Sequence, residues 1–229
     1  MPLSPADIQA RVLHRDALLL VLNKPAGLAV HKGPRTEDSL EKLLPHLRFG
    51  YKELPQLGHR LDRDTSGCLV LGRNRRALRK LGELFAGNKV GKTYWAVVEG
   101  RPPQDSGSIG MALLKVTGRQ GWRIVPDPTG QPARTDYKVK GGDGRRTWLE
   151  LTPQTGRTHQ IRIHCAELGF PVVGDPLYGP SRTPAEKLML HARAVSVPIE
   201  AGKPPVQVSA PPPEHMAAAL AACGWKADR

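Results

Sequence analysis

Apolar residues gather in short runs bounded by glycine, proline and charged residues, and the period within each run separates strands from helices. The run "ALLLVLNKPAGLAVH" predicts a buried strand that stops at Pro25-Ala26-Gly27, where proline removes a ladder donor and glycine permits a turn. Residues 39–47 predict a short helix broken by Pro45, and "CLVLGRN" predicts a second apolar strand. In "NRRALRKLGELFAGN" the residues Leu78, Leu81, Leu84 and Phe85 recur at helical spacing as far as Gly87. Arg75, Arg76, Arg79 and Lys80 fall mostly off that stripe.

Further along, "KTYWAVVEG", "TDYKVKGG" and "TWLELTPQ" are rich in β-formers, the last two separated by a Gly-Asp-Gly turn. Residues 101–134 hold glycine and proline throughout, which predicts loops and short strands carrying Lys115, Arg119, Arg123 and Arg134. "GRTHQIRIHCAELG" predicts a helix with Thr158 as N-cap, Ile161, Cys165 and Leu168 along one face, and Gly169 as the stop. "LHARAVSVPIE" predicts a strand, the proline-dense "GKPPVQVSAPPPEHM" a surface connection, and "EHMAAALAACGW" a helix ending at Gly224. With no internal repeat and no sharp break in composition, residues 1–229 are expected to form a single domain.

Charge narrows the function. Lys and Arg number 34 against 21 Asp and Glu, a formal charge of +13, so the surface attracts polyanions: nucleic acid first, anionic membrane second. The longest apolar run, Ala17 to Leu22, is far shorter than the ~20 residues of a membrane helix. "MPLSPADIQARV" has no apolar signal core, and a soluble cytoplasmic protein is expected. Cys68, Cys165 and Cys223 are isolated and form neither a disulfide framework nor a CxxC zinc site.

Against this basic background "HRLDRDTSG", residues 59–67, holds two aspartates two positions apart. Asp62-x-Asp64-x-Ser66-Gly67 has the opening spacing of a calcium loop, but position 12, where a bidentate carboxylate belongs, is Arg73. The same stretch has the start of a DxDxT phosphatase, without that family's preceding apolar run. A third reading makes the acids turn residues paired with Arg60 and Arg63.

The chain also carries a resemblance. "GHRLDRDTSG" is similar to the signature of the RluA-type pseudouridine synthases, and "LNKPAGLAVH", "GKTYWAVVEG", "GRTHQIRIHCAELGFPVVGDPLYG" and "LMLHA" resemble that family's other segments, in order, across roughly residues 20–195. The resemblance implies an α+β catalytic fold with a mixed, mainly antiparallel central sheet, peripheral helices and a central cleft. It implies an isomerase acting on uridine in ribosomal or transfer RNA, a short member without an N-terminal S4 domain. It places the catalytic aspartate at Asp62, the active-site tyrosine at Tyr94, the arginine paired with the aspartate at Arg162, and a base-displacing arginine at Arg60.

His59, Arg157 and His159 are further expected RNA contacts, and His191 is expected as a structural donor or RNA contact; His159 and His164 are five apart without the intervening acid of an HExxH helix, so no zinc site is expected there. The excess of basic residues would then hold phosphates. Asp64 keeps its reading as a turn or surface acid. Isomerisation breaks the N1–C1′ bond, turns the uracil and joins C5 to C1′ without redox change or hydrolysis. One ionised carboxylate suffices, so neither metal nor organic cofactor is expected, and the protein is expected to be monomeric. A non-catalytic RNA-binding protein on the same fold remains the rival.

Overall fold

The computed structural model describes residues 3–33, 38–118, 121–181 and 185–227. In chain order its elements are α1 (Pro5–Gln9), β1 (Val12–Arg15), β2 (Leu19–Lys24), α2 (Leu40–Leu43), β3 (Gln56–Leu57), β4 (Ser66–Gly72), α3 (Arg75–Ala86) and β5 (Gly91–Glu99). Then come β6 (Ser106–Gly118), β7 (Gly121–Pro126), β8 (Gln131–Gly142), β9 (Arg146–Pro153), α4 (Gln160–Glu167), β10 (Leu190–Val197), β11 (Val206–Ser209) and α5 (Glu214–Ala222). The chain forms two compact units, one of residues 1–92 and 192–212, the other of residues 93–191 and 213–229. No helix among the described residues is long and apolar enough to cross a membrane.

In the first unit the strands lie in the order β1-β2-β4-β10, with β3 on β4 and β11 on β10. The predicted apolar runs form its centre: Leu19, Val21, Cys68 and Val70 pack with Leu81 and Leu84 of α3 and Val195 and Val197 of β10. Asn74 caps α3 by accepting the Ala77 amide on its side chain at 2.8 Å. Pro45 does break the 39–47 helix, which continues as a 3-10 turn over Leu44–Leu47. Three elements go beyond the sequence expectation. The proline-dense segment contains β11, paired antiparallel to β10 at the sheet margin, where prolines outside the ladder cost nothing. The N-terminal stretch forms α1, closed by a capping box between Ser4 and Asp7, and β1.

The β3–β4 pairing ends with a side chain doing backbone work. Gly58 donates its amide to the Val70 carbonyl at 3.0 Å, and the Val70 amide donates to His59 Nε2 at 3.0 Å. The His59 ring stacks on Phe85 with centroids 4.5 Å apart.

The second unit carries β5-β9-β8-β6-β7, with β5–β9, β9–β8, β8–β6 and β6–β7 each antiparallel. Along β5 the pleat sends Ala96 and Val98 into a core with Leu149, Leu151, Ile161 and Phe170, and Trp95 and Val97 into another with Trp148, Met189 and Met216. Residues 101–134 correct the expectation of loops and short strands: β6 runs for 13 residues and forms a long hairpin with β7. Its glycines hide the alternation, and only Ile109, Leu113 and Ile124 mark the buried face. Arg119 lies outside the described residues.

Helix α4 is also capped differently. His159, not Thr158, occupies the N-cap, in the left-handed region at φ 55°, and Leu168 is exposed. The cause is Gln160, whose side chain accepts from Thr155 Oγ1 and the Arg157 amide and donates to the Arg134 carbonyl and Thr135 Oγ1. Those four bonds exhaust the amide's capacity and fix the chain entering the helix. Gly169 follows as the stop, at φ +84°.

Burial pushes the imidazoles of His59 and His164 down to about 4; His164 Nδ1 sits 3.0 Å from Thr135 Oγ1. Unfolding returns both to the ordinary value of about 6.5, so between these values the unfolded chain binds more protons and stability rises with pH. This contribution is complete above about pH 6.5 and is lost as pH falls toward 4. Thermal melts should therefore show a midpoint that drops between pH 6.5 and 5, and a flat profile over that interval contradicts the assignment.

Candidate active site

The loop "HRLDRDTSG" belongs wholly to the first unit. Its residues turn because the Thr65 amide donates to the Asp62 carbonyl at 3.2 Å, while Thr65 and Ser66 are buried as β4 begins. Gly67 sits at φ +105°, and a Cβ there would lie 2.2 Å from the Ala192 carbonyl oxygen; only glycine admits β10 so close. Arg63 donates to the Asp64 carboxylate from Nε at 3.2 Å and Nη2 at 3.4 Å. That pair is largely solvated. Asp62 is half-buried and Arg60 exposed. Arg73, at the twelfth position of the supposed calcium loop, is buried, donates to the Asp16 and Arg48 carbonyls, and lies over the Tyr51 ring.

Lys24 holds this loop from beneath. Its side chain is fully buried, and Nζ donates to the carbonyls of Pro25, Leu28 and Arg63, each at 2.9 Å. Three acceptors match the three protons of an ammonium. Burial pushes the amine down to about 7, opposed by the charges of Asp64 and Asp62. The Gly27 amide adds a second donor to the Arg63 carbonyl, at 2.9 Å. The turn that follows β2 and the loop that carries Asp62 are thus one construction.

The second unit carries Tyr94, Arg157, His159 and Arg162. Tyr94 lies on β5 opposite Leu151 and packs, half-buried, against the core that includes Ile161. Arg162 is buried on α4, and its guanidinium forks onto Asp175, Nε to Oδ2 and Nη2 to Oδ1, each at 2.7 Å. Asp175 Oδ1 also accepts the Leu177 and Tyr178 amides, at 2.9 and 3.1 Å. Burial alone would raise the Asp175 carboxyl, but the Arg162 bonds and charge, with the two amides, hold it below the usual carboxylate range. Arg157 is exposed, with Nε donating to the Pro132 carbonyl at 3.3 Å. His159 Nδ1 is 2.9 Å from the Tyr178 hydroxyl.

The site residues expected from sequence therefore fall in two groups: His59, Arg60 and Asp62 in one unit, Tyr94, Arg157, His159 and Arg162 in the other. His59 is engaged by Val70 and Phe85, which gives its expected role at RNA no support. Sequence reasoning alone does not single out Lys24, Gln160, Asp175 or Tyr178. Two signals were available: a lysine closing an apolar strand just before Pro-Ala-Gly, and an Asp-Pro pair with tyrosine three residues after the aspartate.

Comparison with known proteins gives these residues a setting. Residues 18–167 match the family model described as RNA pseudouridylate synthase. An uncharacterized RNA pseudouridine synthase of Zymomonas mobilis is 43% identical over 89% of this chain and 94% of its own length. The ribosomal large subunit pseudouridine synthase C of Buchnera aphidicola is 38% identical over 81% of this chain, which spans 61% of that longer protein. Among solved structures, human RNA pseudouridylate synthase domain containing 4 superposes with a TM-score of 0.82 at 26% identity, over 96% of this chain and 95% of that one.

Removing Asp175 takes a buried carboxylate from a buried guanidinium. Asp175→Ala should lower the stability of its unit by about 3–5 kcal/mol, and Asp175→Asn, which keeps acceptor oxygen, by less. Urea titration at neutral pH measures both, and equal stability of Asp175→Ala and the natural protein contradicts the role given to this pair.

Proposed function

The chain belongs to the RNA pseudouridylate synthase family, and from that premise we propose that Asp62 is the carboxylate at ribose C1′ when the enzyme isomerises uridine in RNA to pseudouridine. The observation that carries this reading is the anchoring of the loop: Asp62, half-buried, stands next to the Arg63 carbonyl that a fully buried lysine holds. A carboxylate that must meet one carbon atom needs such fixed backbone.

The reaction breaks the N1–C1′ bond, turns the held uracil, forms C5–C1′ and moves the C5 proton away while N1 regains one, so atoms balance without oxidant or water. Asp62 stabilises, or adds to, the electron-poor C1′. Tyr94 supplies a ring for the uracil and a hydroxyl for relaying the C5 proton. Arg162 supplies the positive charge that keeps a carboxylate ionised in a dry pocket. The target uridine must leave its stack, at a cost of roughly a few kcal/mol, and Arg60 fills the vacated place. Arg157 and His159 meet the RNA backbone, and the net charge of +13 strengthens that contact at low salt.

The names of several relatives support ribosomal over transfer RNA as the substrate. One family match running from residue 18 to residue 167, through parts of both units, supports a single catalytic domain.

Tritium release from RNA labelled at uridine C5 tests the assignment. With EDTA present, the natural protein should release tritium, Asp62→Ala should release none above background, and Asp64→Ala should stay within about tenfold of the natural rate. Equal loss in both variants, or release that survives Asp62→Ala, overturns the role of Asp62.

A further inference from the structure

Trp122 is 47% exposed on β7, one residue from the Gly118–Gly121 pair where the β6–β7 ladder ends toward the hairpin turn. Two residues further along the same face Ile124 is buried with Leu113, Ala133 and Ile163, so the hairpin leaves its own core just where the indole begins. The indole then meets aromatic and cationic groups. Its ring lies 5.5 Å from that of His159, at an interplanar angle of 34°. The His159 ring stands edge-on to Tyr178 at 5.6 Å, and the Arg162 guanidinium lies over the Tyr178 ring at 5.2 Å.

A row of π faces therefore runs from an exposed indole to the buried arginine held by Asp175. His159 keeps its place in that row in a left-handed conformation that non-glycine residues rarely adopt, a strain that surrounding contacts must hold.

The surroundings identify the occupant. Lys115 Nζ sits 5.0 Å from the Trp122 ring centroid, and Thr117 is the cross-strand neighbour of Trp122. A protein partner would call for more apolar surface around the indole. A flat apolar ring beside an exposed cation instead suits a nucleobase whose flanking phosphate meets the cation. The Lys115 ammonium, on a long flexible stem, can move from the ring to a phosphate as a base takes its place.

We propose that Trp122 is a stacking platform for an unpaired RNA nucleobase flanking the uridine being modified. The hairpin thereby selects single-stranded or looped RNA, because a base within a duplex has no free face to offer. Its position beside the modified nucleotide rests on the assignment of Arg162 to catalysis, but the stacking itself does not.

The full chain can be tested by fluorescence anisotropy with a labelled, uridine-rich single-stranded oligoribonucleotide and with the same strand in a duplex. Trp122→Ala should weaken single-strand binding by about 5- to 150-fold, the range of one base–aromatic stack, and weaken duplex binding much less. Trp122→Phe should stay within about threefold of the natural protein, since a smaller ring still stacks. On C5-tritiated RNA, Trp122→Ala should raise KM and leave kcat within about twofold.

Single-strand affinity unchanged by Trp122→Ala, equal losses in the alanine and phenylalanine variants, or no single-strand binding by the natural protein each overturn the platform. If Trp122→Ala weakens binding but the natural protein releases no tritium, the platform stands and the isomerase assignment of this site falls. If release is normal and its KM does not respond to Trp122→Ala, the reverse holds.

Discussion

Three protons on one buried ammonium govern how the Asp62 loop sits in its unit. Lys24 Nζ, with no exposure to solvent, satisfies the Pro25, Leu28 and Arg63 carbonyls together. Taking a lysine out of water is costly; the three carbonyl acceptors offset part of that cost, and the charges of Asp64 and Asp62 oppose the downward shift in its titration. If the loop moved off, a charge would be stranded in the core. Asp62, one residue from the Arg63 carbonyl, inherits that restraint. Gly67 completes it by letting β10 close against the start of β4.

The second unit solves the same problem with opposite partners. Arg162 is buried like Lys24, though less completely, and its flat fork meets a carboxylate, Asp175, rather than carbonyls. Asp175 in turn draws the Leu177 and Tyr178 amides toward itself, which sets Tyr178 below the guanidinium and within reach of His159. Gln160 secures the other side of that histidine. A short helix whose first six residues are all buried can present an arginine reproducibly because almost none of its side chains is free to choose a rotamer.

How far this was legible in the sequence depended on how each segment buries itself. β2 and β4, buried on both faces, announce themselves as apolar runs, and α3 shows one apolar stripe with an asparagine cap. Helix α4 is buried all round, so its periodicity is weak, and its cap is decided by Gln160 contacts with residues 134, 135, 155 and 157 that no local pattern reveals. β6 and β7 are rich in glycine and bury few residues, and β11 lies among prolines, so local propensity misreads all three. For the site, motifs point to Asp62, Tyr94 and Arg162 and leave Asp64 as a turn or surface acid, and the structure pairs Asp64 with Arg63. Lys24 and Asp175 matter through what they hold, and that is visible only in three dimensions.

The central claim is that Lys24 fixes the backbone on which Asp62 stands, and amide hydrogen exchange in Lys24→Met reaches it most directly. The Gly27 and Thr65 amides, which donate to the Arg63 and Asp62 carbonyls, should exchange at least about tenfold faster than in the natural protein, while residues 68–72 of β4 keep their protection. Unchanged exchange at Gly27 and Thr65 in the folded variant contradicts the account, because the loop would then be held by something other than the lysine.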